Sequence, residues 1–345
     1  MNTSKPVGAI VWLRVRGHFR PLRNERARVW ALAILLALAN AASAAITGSN
    51  WMASLDASVP LSRLSIPGTH NSGALYEPLA GTAKCQDLSL ADQLNAGVRF
   101  LDIRCRHLTN RFVIHHGSVY QNLDFDDVLR AVIGFLNSNP TEGVMLSVKQ
   151  EYTAQGNTRA FEATFDWYVA RNPGKWLLAA DIPTVEQARG KIVLFRRFGA
   201  SSSPKGIDAS SWPDDAVFTR GILRVQDCYN VTRNDAKWTC ITNLFQESAG
   251  GSAGMLCVNF TSGVLRGYFG IPDIPRVAND INARLESYPS AGLMGRSGVV
   301  VMDFANARRC ALVYLNNGFP TNGIRKTINA PSGSVSGPPP GALGR

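Results

Sequence analysis

The chain has 345 residues, 36 Lys and Arg against 25 Asp and Glu, and a formal charge of +11. That charge looks like a nucleic-acid signal, but seven of the basic residues (Lys5, Arg14, Arg16, Arg20, Arg23, Arg26 and Arg28) and one acid, Glu25, fall in the first 45 positions. The remaining 29 basic and 24 acidic residues leave +5 without any dense Lys/Arg stripe, so no nucleic-acid partner is expected, while attraction to an anionic bilayer surface is allowed.

In chain order, the first feature is an apolar run, Val29 to Ala39, preceded by scattered arginines and followed by Ala42-Ser43-Ala44. The run is too short for a spanning helix, which needs about 20 apolar residues. Its small-x-small ending reads as a secretory signal over residues 1–44, cleaved after Ala44, and places the mature protein outside the cell. Six cysteines follow: Cys85, Cys105, Cys228, Cys240, Cys257 and Cys310. An even count in an exported chain permits three disulfides, with Cys228 and Cys240, which bracket a short polar loop, as the favoured pair. No Cys/His spacing suggests zinc.

Residues 45–330 repeat one event: a short β-branched apolar run, a polar residue, then a loop. Eight runs are expected as strands: Leu64–Thr69, Val98–Arg104, Phe112–His115, Val144–Val148, Lys191–Arg196, Ile222–Gln226, Met255–Phe260 and Gly298–Met302. Nearly continuous apolar strands suit a sheet buried on both faces. Amphipathic helical pattern fills some gaps, notably Phe125–Asn137 and Thr158–Ala170. Together they predict a mixed α/β fold, a single-domain (β/α)₈ TIM-type barrel. The barrel should be irregular, because gaps such as Phe198–Arg220 carry little helix. The tail over 331–345 is rich in Pro, Gly and Ser and is expected to be disordered.

Polar residues sit at the C-terminal end of almost every run, where a barrel places its active site. They include His70 and Asn71 after the first, Asp102 and Arg104 at the second, His115 and His116 at the third, and Lys149, Gln150 and Glu151 at the fourth. Arg197, Asp227, Tyr229 and Asp303 follow at later runs. A lone histidine is usually structural. Two at neighbouring mouths, with Asp303 to orient one and Arg104 beside them, suit general acid/base displacement at phosphorus, one imidazole taking a proton as the other gives one. Arg104 supplies the cation that the developing charge needs. The cleft acids are few and separated, and Asp102 is placed to pair with Arg104, so no metal and no cofactor are expected.

These residues resemble a known family. Ser65-Ile66-Pro67-Gly68-Thr69-His70-Asn71-Ser72-Gly73, Arg99-Phe100-Leu101-Asp102-Ile103-Arg104 and His115-His116-Gly117 are similar to the X region of the bacterial phosphatidylinositol-specific phospholipases C. The likeness continues through Met145–Tyr152, Gly190–Leu194, Trp212-Pro213-Asp214, Val225-Gln226-Asp227 and Asn259-Phe260-Thr261. It implies that His70, oriented by Asp303, is the base for the inositol 2-hydroxyl and that His116 is the acid for the diacylglycerol oxygen, with His115 structural. It also implies that Arg104 stands where eukaryotic relatives place calcium, and that Lys149, Arg197, Asp227 and Tyr229 hold the inositol ring. The implied products are diacylglycerol and inositol 1,2-cyclic phosphate. Asn71 departs from the aspartate usual after the first histidine. Two alternatives stay open: a secreted headgroup-binding module without turnover, and cleavage of another lipid phosphodiester or a glycosyl-phosphatidylinositol anchor. The partner expected is phosphatidylinositol in a membrane, met at the interface by a monomer whose Val264–Ile271 segment is a candidate contact loop.

Overall fold

The structure is a computed structural model that describes residues 45–251, 254–288, 295–317 and 319. The proposed leader over 1–44 and the tail over 331–345 lie outside the described residues. Among those described, no helix is long and apolar enough to cross a membrane.

Seven strands form the parallel wall: β1 (Ser65–Thr69), β2 (Phe100–Leu108), β5 (Val144–Gln150), β7 (Ile192–Arg197), β10 (Leu223–Gln226), β11 (Leu256–Phe260) and β14 (Gly298–Met302). They run in the order β7-β5-β2-β1-β14-β11-β10, every neighbour parallel. Every residue of β1, β11 and β14 is buried, as a sheet covered on both faces requires. Two-residue strands β6 (Trp176–Leu177) and β8 (Ile207–Asp208) extend the wall beyond β7, and β9 (Val217–Arg220) turns back antiparallel along β10. Among the described residues no ladder joins β8 to β9, so the hydrogen-bonded wall is open there, where the sequence carries little helix. The result is an irregular TIM-type barrel.

The third apolar run behaves differently from the expectation. It lies in β3 (Arg111–His116), which pairs antiparallel with β2 and then with β4 (Val119–Asp124), forming a hairpin excursion at the rim instead of a barrel strand. The physical reason is length: only Thr109 and Asn110 separate β2 from β3, both with positive φ (47° and 61°). A two-residue turn of that kind makes a hairpin, whereas a parallel return needs a crossover of about a dozen residues.

Helices pack outside the wall: α1 (Leu90–Ala96), α2 (Phe125–Ser138), α3 (Phe161–Ala170), α4 (Val185–Ala188), α5 (Asn234–Gly250), α6 (Ile274–Ser287) and α7 (Ala307–Tyr314). The start of α2 is fixed by Asp124, whose carboxylate accepts from the Asp127 amide while Asp127 reaches back to the Asp124 amide. Its inner stripe, Val128, Leu129, Val132 and Leu136, is buried. All six cysteines carry free thiols, the expected Cys228 and Cys240 pair included, and Cys85, Cys105, Cys257 and Cys310 are buried.

Candidate active site

The register of the wall assembles the site. Thr69 pairs with Met302 across β1 and β14, so His70 and Asp303, the next residues on each strand, emerge side by side. Arg104 pairs with Lys149, and Lys149 with Arg197, across β2, β5 and β7. Registered residues of adjacent strands face the same way, so three cations form a row along one rim. Side chains alternate along a strand, so Asp102 and Glu151, each two residues from a cation, share that face. A cleft of about 720 Å³ opens above, lined among others by His70, Arg104, His116, Lys149, Arg197 and Tyr229.

His70 Nδ1 lies 2.8 Å from Asp303 Oδ1, and His70 Nε2 lies 2.9 Å from Arg104 Nη2. A guanidinium has no acceptor, so Nε2 accepts, and the ring proton sits on Nδ1 and is donated to Asp303. His116 Nδ1 lies 2.7 Å from the Ala83 carbonyl oxygen, which fixes that proton and leaves Nε2 to take up or release another. The two rings are 6.2 Å apart and nearly perpendicular, at 87°. Burial, together with the Arg104 charge, pushes the His116 imidazole down to about 4.

The cations are braced by acids. Arg104 Nε donates to Asp102 Oδ2 at 3.1 Å, and Arg104 Nη1 stands 3.9 Å from Glu151 Oε1. Burial alone would raise the Asp102 carboxyl, but Arg104, Arg197 and the Asn71 amide hold it well below the usual carboxylate range. Glu151 behaves likewise: burial opposes ionisation, yet Arg104 and Lys149 bring it down to about 2. Its other oxygen lies 3.0 Å from Lys149 Nζ. Burial and the neighbouring Arg104 lower the Lys149 ammonium, with Glu151 opposing them. Arg197 stacks 3.7 Å over the Trp212 ring, whose Nε1 donates to Asp227 Oδ2 at 2.9 Å. Tyr229 donates its hydroxyl to Asp214 at 3.0 Å. Asn71 departs from this pattern: it is fully buried with φ of 40°, its backbone amide donates to Asp102, and neither side-chain polar atom has a hydrogen-bond partner.

The sequence-predicted residues His70, Asn71, Asp102, Arg104, His116, Lys149, Arg197, Asp227, Tyr229 and Asp303 therefore gather at one rim. His115 is buried at the edge and stacks on Tyr152, 5.8 Å between ring centres. Three residues without an assigned role in the sequence join the site. Glu151 braces two cations, Trp212 lies under Arg197, and Asp214 accepts from Tyr229. Period-two spacing from Lys149 was the available signal for Glu151. Nothing in the sequence marked Trp212 as a stacking partner, because that contact joins separate loops. A metal-compatible group also exists, since ligand atoms of His70, Cys85 and Asp303 lie within 4.8 Å of one another. His70 and Asp303 are already bonded to each other, and burial, with Asp303 beside it, pushes the Cys85 thiol far up, so binding would have to break that bond and strip a buried proton.

A parallel barrel whose C-terminal rim collects two imidazoles, three cations and their counter-acids around one cleft is the architecture of a barrel enzyme. Comparison with known proteins narrows the class. Residues 57–198 match the family model "Phosphatidylinositol-specific phospholipase C, X domain". A 1-phosphatidylinositol phosphodiesterase of Staphylococcus aureus is 33% identical over 276 residues, 74% of this chain and 88% of the relative. Its Listeria monocytogenes counterpart is 29% identical over 221 residues, 56% of this chain and 67% of that one. A solved structure of the Staphylococcus aureus phosphatidylinositol-specific phospholipase C superposes with a TM-score of 0.72 at 28% identity, covering 79% of this chain and 97% of the other. The chain belongs to the phosphatidylinositol-specific phospholipase C family.

Proposed function

We propose that the protein is an exported phospholipase C that cleaves phosphatidylinositol to diacylglycerol and inositol 1,2-cyclic phosphate without a metal. The observation that carries this reading is a dyad, His70 with Asp303, facing a second imidazole, His116, at 6.2 Å with the Arg104 guanidinium against the first. His70 Nε2 takes the proton of the inositol 2-hydroxyl, whose oxygen attacks phosphorus. Arg104 turns its donor from Nε2 to a non-bridging oxygen, where negative charge gathers. His116 Nε2 delivers a proton to the departing diacylglycerol oxygen.

The low pKa of His116 gives this scheme a self-timing property. In the free protein the ring is neutral at pH 7, being held down to about 4 by burial and by the Arg104 charge. An arriving phosphodiester anion offsets that charge and raises the pKa, so the substrate charges its own acid. Lys149, Arg197 and Asp227 bind ring hydroxyls, and Tyr229 covers a ring face. Contact with the bilayer is assigned to the loop between β12 (Leu265–Arg266) and β13 (Pro272–Asp273), where Phe269 is fully exposed. Export rests on the apolar run and the Ala42-Ser43-Ala44 ending.

The test is a headgroup panel on the purified protein with and without chelator. Diacylglycerol release from phosphatidylinositol in chelator is expected, with none from phosphatidylcholine. Activity abolished by chelator and restored by calcium would rule out Arg104 as the cation that neutralises the phosphate.

A further inference from the structure

Cys228 stands between Asp227 and Tyr229, on the turn that follows β10. Of the six cysteines, it and Cys240 are the two that are partly open to solvent. The turn is pressed against α5 by two contacts on one helix face. Lys237 is buried in α5 and donates to the Cys228 carbonyl at 2.8 Å and to Gln226 Oε1 at 3.1 Å. Cys240, three residues and about one turn further on the same face, sets its thiol beside the Cys228 thiol. The seat is rigid: Gln226 Oε1 also accepts from the Cys228 amide at 2.8 Å, and Asn259 ties β11 to the same helix through the Ile241 carbonyl at 2.9 Å. The four buried cysteines sit in other surroundings: Cys85 against His116, Cys105 inside β2, Cys257 beside Ser248 and Cys310 under Gly97.

We propose that Cys228 and Cys240 are a covalent modification site, a dithiol that a small-molecule or protein disulfide donor closes into a disulfide, stapling the Asp227–Tyr229 turn to α5. The step balances as thiol–disulfide exchange. The Cys228 thiolate attacks the donor's S–S bond and releases one donor thiol, which takes up a proton. The Cys240 sulfur then attacks the mixed disulfide and releases the second donor thiol, so two protein thiols are oxidised as one donor disulfide is reduced. Burial and the adjacent thiol push Cys228 up to about 11, while the Lys237 ammonium pulls in the other direction. Exchange is therefore slow without a strong donor and depends on the apposition of the two sulfurs.

Oxidised glutathione is the probe. Protein incubated with it is denatured, alkylated with iodoacetamide and peptide-mapped beside a dithiothreitol-treated control. The fragments carrying Cys228 and Cys240 should be recovered joined, with the other four cysteines alkylated. The melting temperature should rise by on the order of 5 °C, as closing a short loop predicts. Cys240→Ser should lose both the link and the rise, and Cys228→Ser provides the same comparison if the first variant folds poorly. Alkylation of all six thiols after oxidation, Cys228 joined to a different cysteine, or an equal temperature rise in Cys240→Ser would each overturn the proposal.

Discussion

Both ends of the barrel bury arginines beside carboxylates, and they do so in opposite ways. At the N-terminal end, Arg99 is fully surrounded. Its Nε and Nη2 donate to Glu142 Oε2 at 2.9 and 2.7 Å, its Nη1 to the Leu94 and Val98 carbonyls at 2.8 Å, and its Nη2 also to the Gly48 carbonyl at 2.8 Å. All five donors of the guanidinium are used. Glu142 in turn accepts from the Met52 and Ala53 amides. At the C-terminal end the charges are held but not saturated. Arg197 Nε and Nη1, Asp303 Oδ2 and both polar atoms of the Asn71 side chain are buried without a hydrogen-bond partner. Single unpartnered atoms occur elsewhere, as on Arg159 and Trp176, but here they collect around one cleft. A polar group that stabilises a fold has its bonds completed by the fold, whereas a site keeps some incomplete for a ligand.

That contrast can be broken experimentally. The largest effect belongs to the cleft: His70→Ala and His116→Ala should each lower diacylglycerol release by about a thousandfold, while urea unfolding shifts by less than about 1 kcal/mol. Next comes Glu142→Ala at the other end, which strands the Arg99 charge. It should cost on the order of 3–5 kcal/mol in urea unfolding yet leave turnover per folded molecule unchanged. If Glu142→Ala lost activity at full stability, the division of labour between the two ends would be wrong. Trp212→Ala removes the surface under Arg197 and the donor to Asp227, so KM should rise by about tenfold with a smaller fall in kcat.

A pH difference probes the same cleft through stability. His116 titrates at about 4 in the folded chain against the usual 6.5. Between those values the unfolded chain holds more protons, so folded stability falls as pH drops through that window. Subtracting the urea stabilities of His116→Ala from those of the parent, at pH values from 4 to 7, should isolate this slope. A flat difference would mean that the imidazole is not depressed.

Much of the fold and of the rim was legible because strand periodicity is local. Arg104 and Lys149 could be placed at strand ends, and Asp102 and Glu151 on the same face, from spacing alone. The hairpin carrying His116 reads as a barrel strand because an apolar run shows no direction. The two-residue gap before Arg111 held the answer. Helix α5 is hidden because its inward face includes Lys237 and Ser248, which blur the apolar stripe. The stacking of Arg197 on Trp212 depends on how separate loops converge, which spacing along the chain does not encode, whereas the meeting of Cys228 with Cys240 could be read from their short separation.

The row made by Arg104, Lys149 and Arg197 also acts as a gauge. Three neighbouring strands spaced about 4.8 Å apart set the outer two cations roughly 10 Å from one another. On the proposed reading, a headgroup would be measured in one direction, with its phosphorus at the Arg104 end and its far edge at the Arg197 end. A compact headgroup would leave the distant mark unreached, and one bearing extra anionic groups would meet Glu151 and Asp227, which line the cleft. On that reading, selection by length and charge would follow from the hydrogen-bond ladder of the barrel itself.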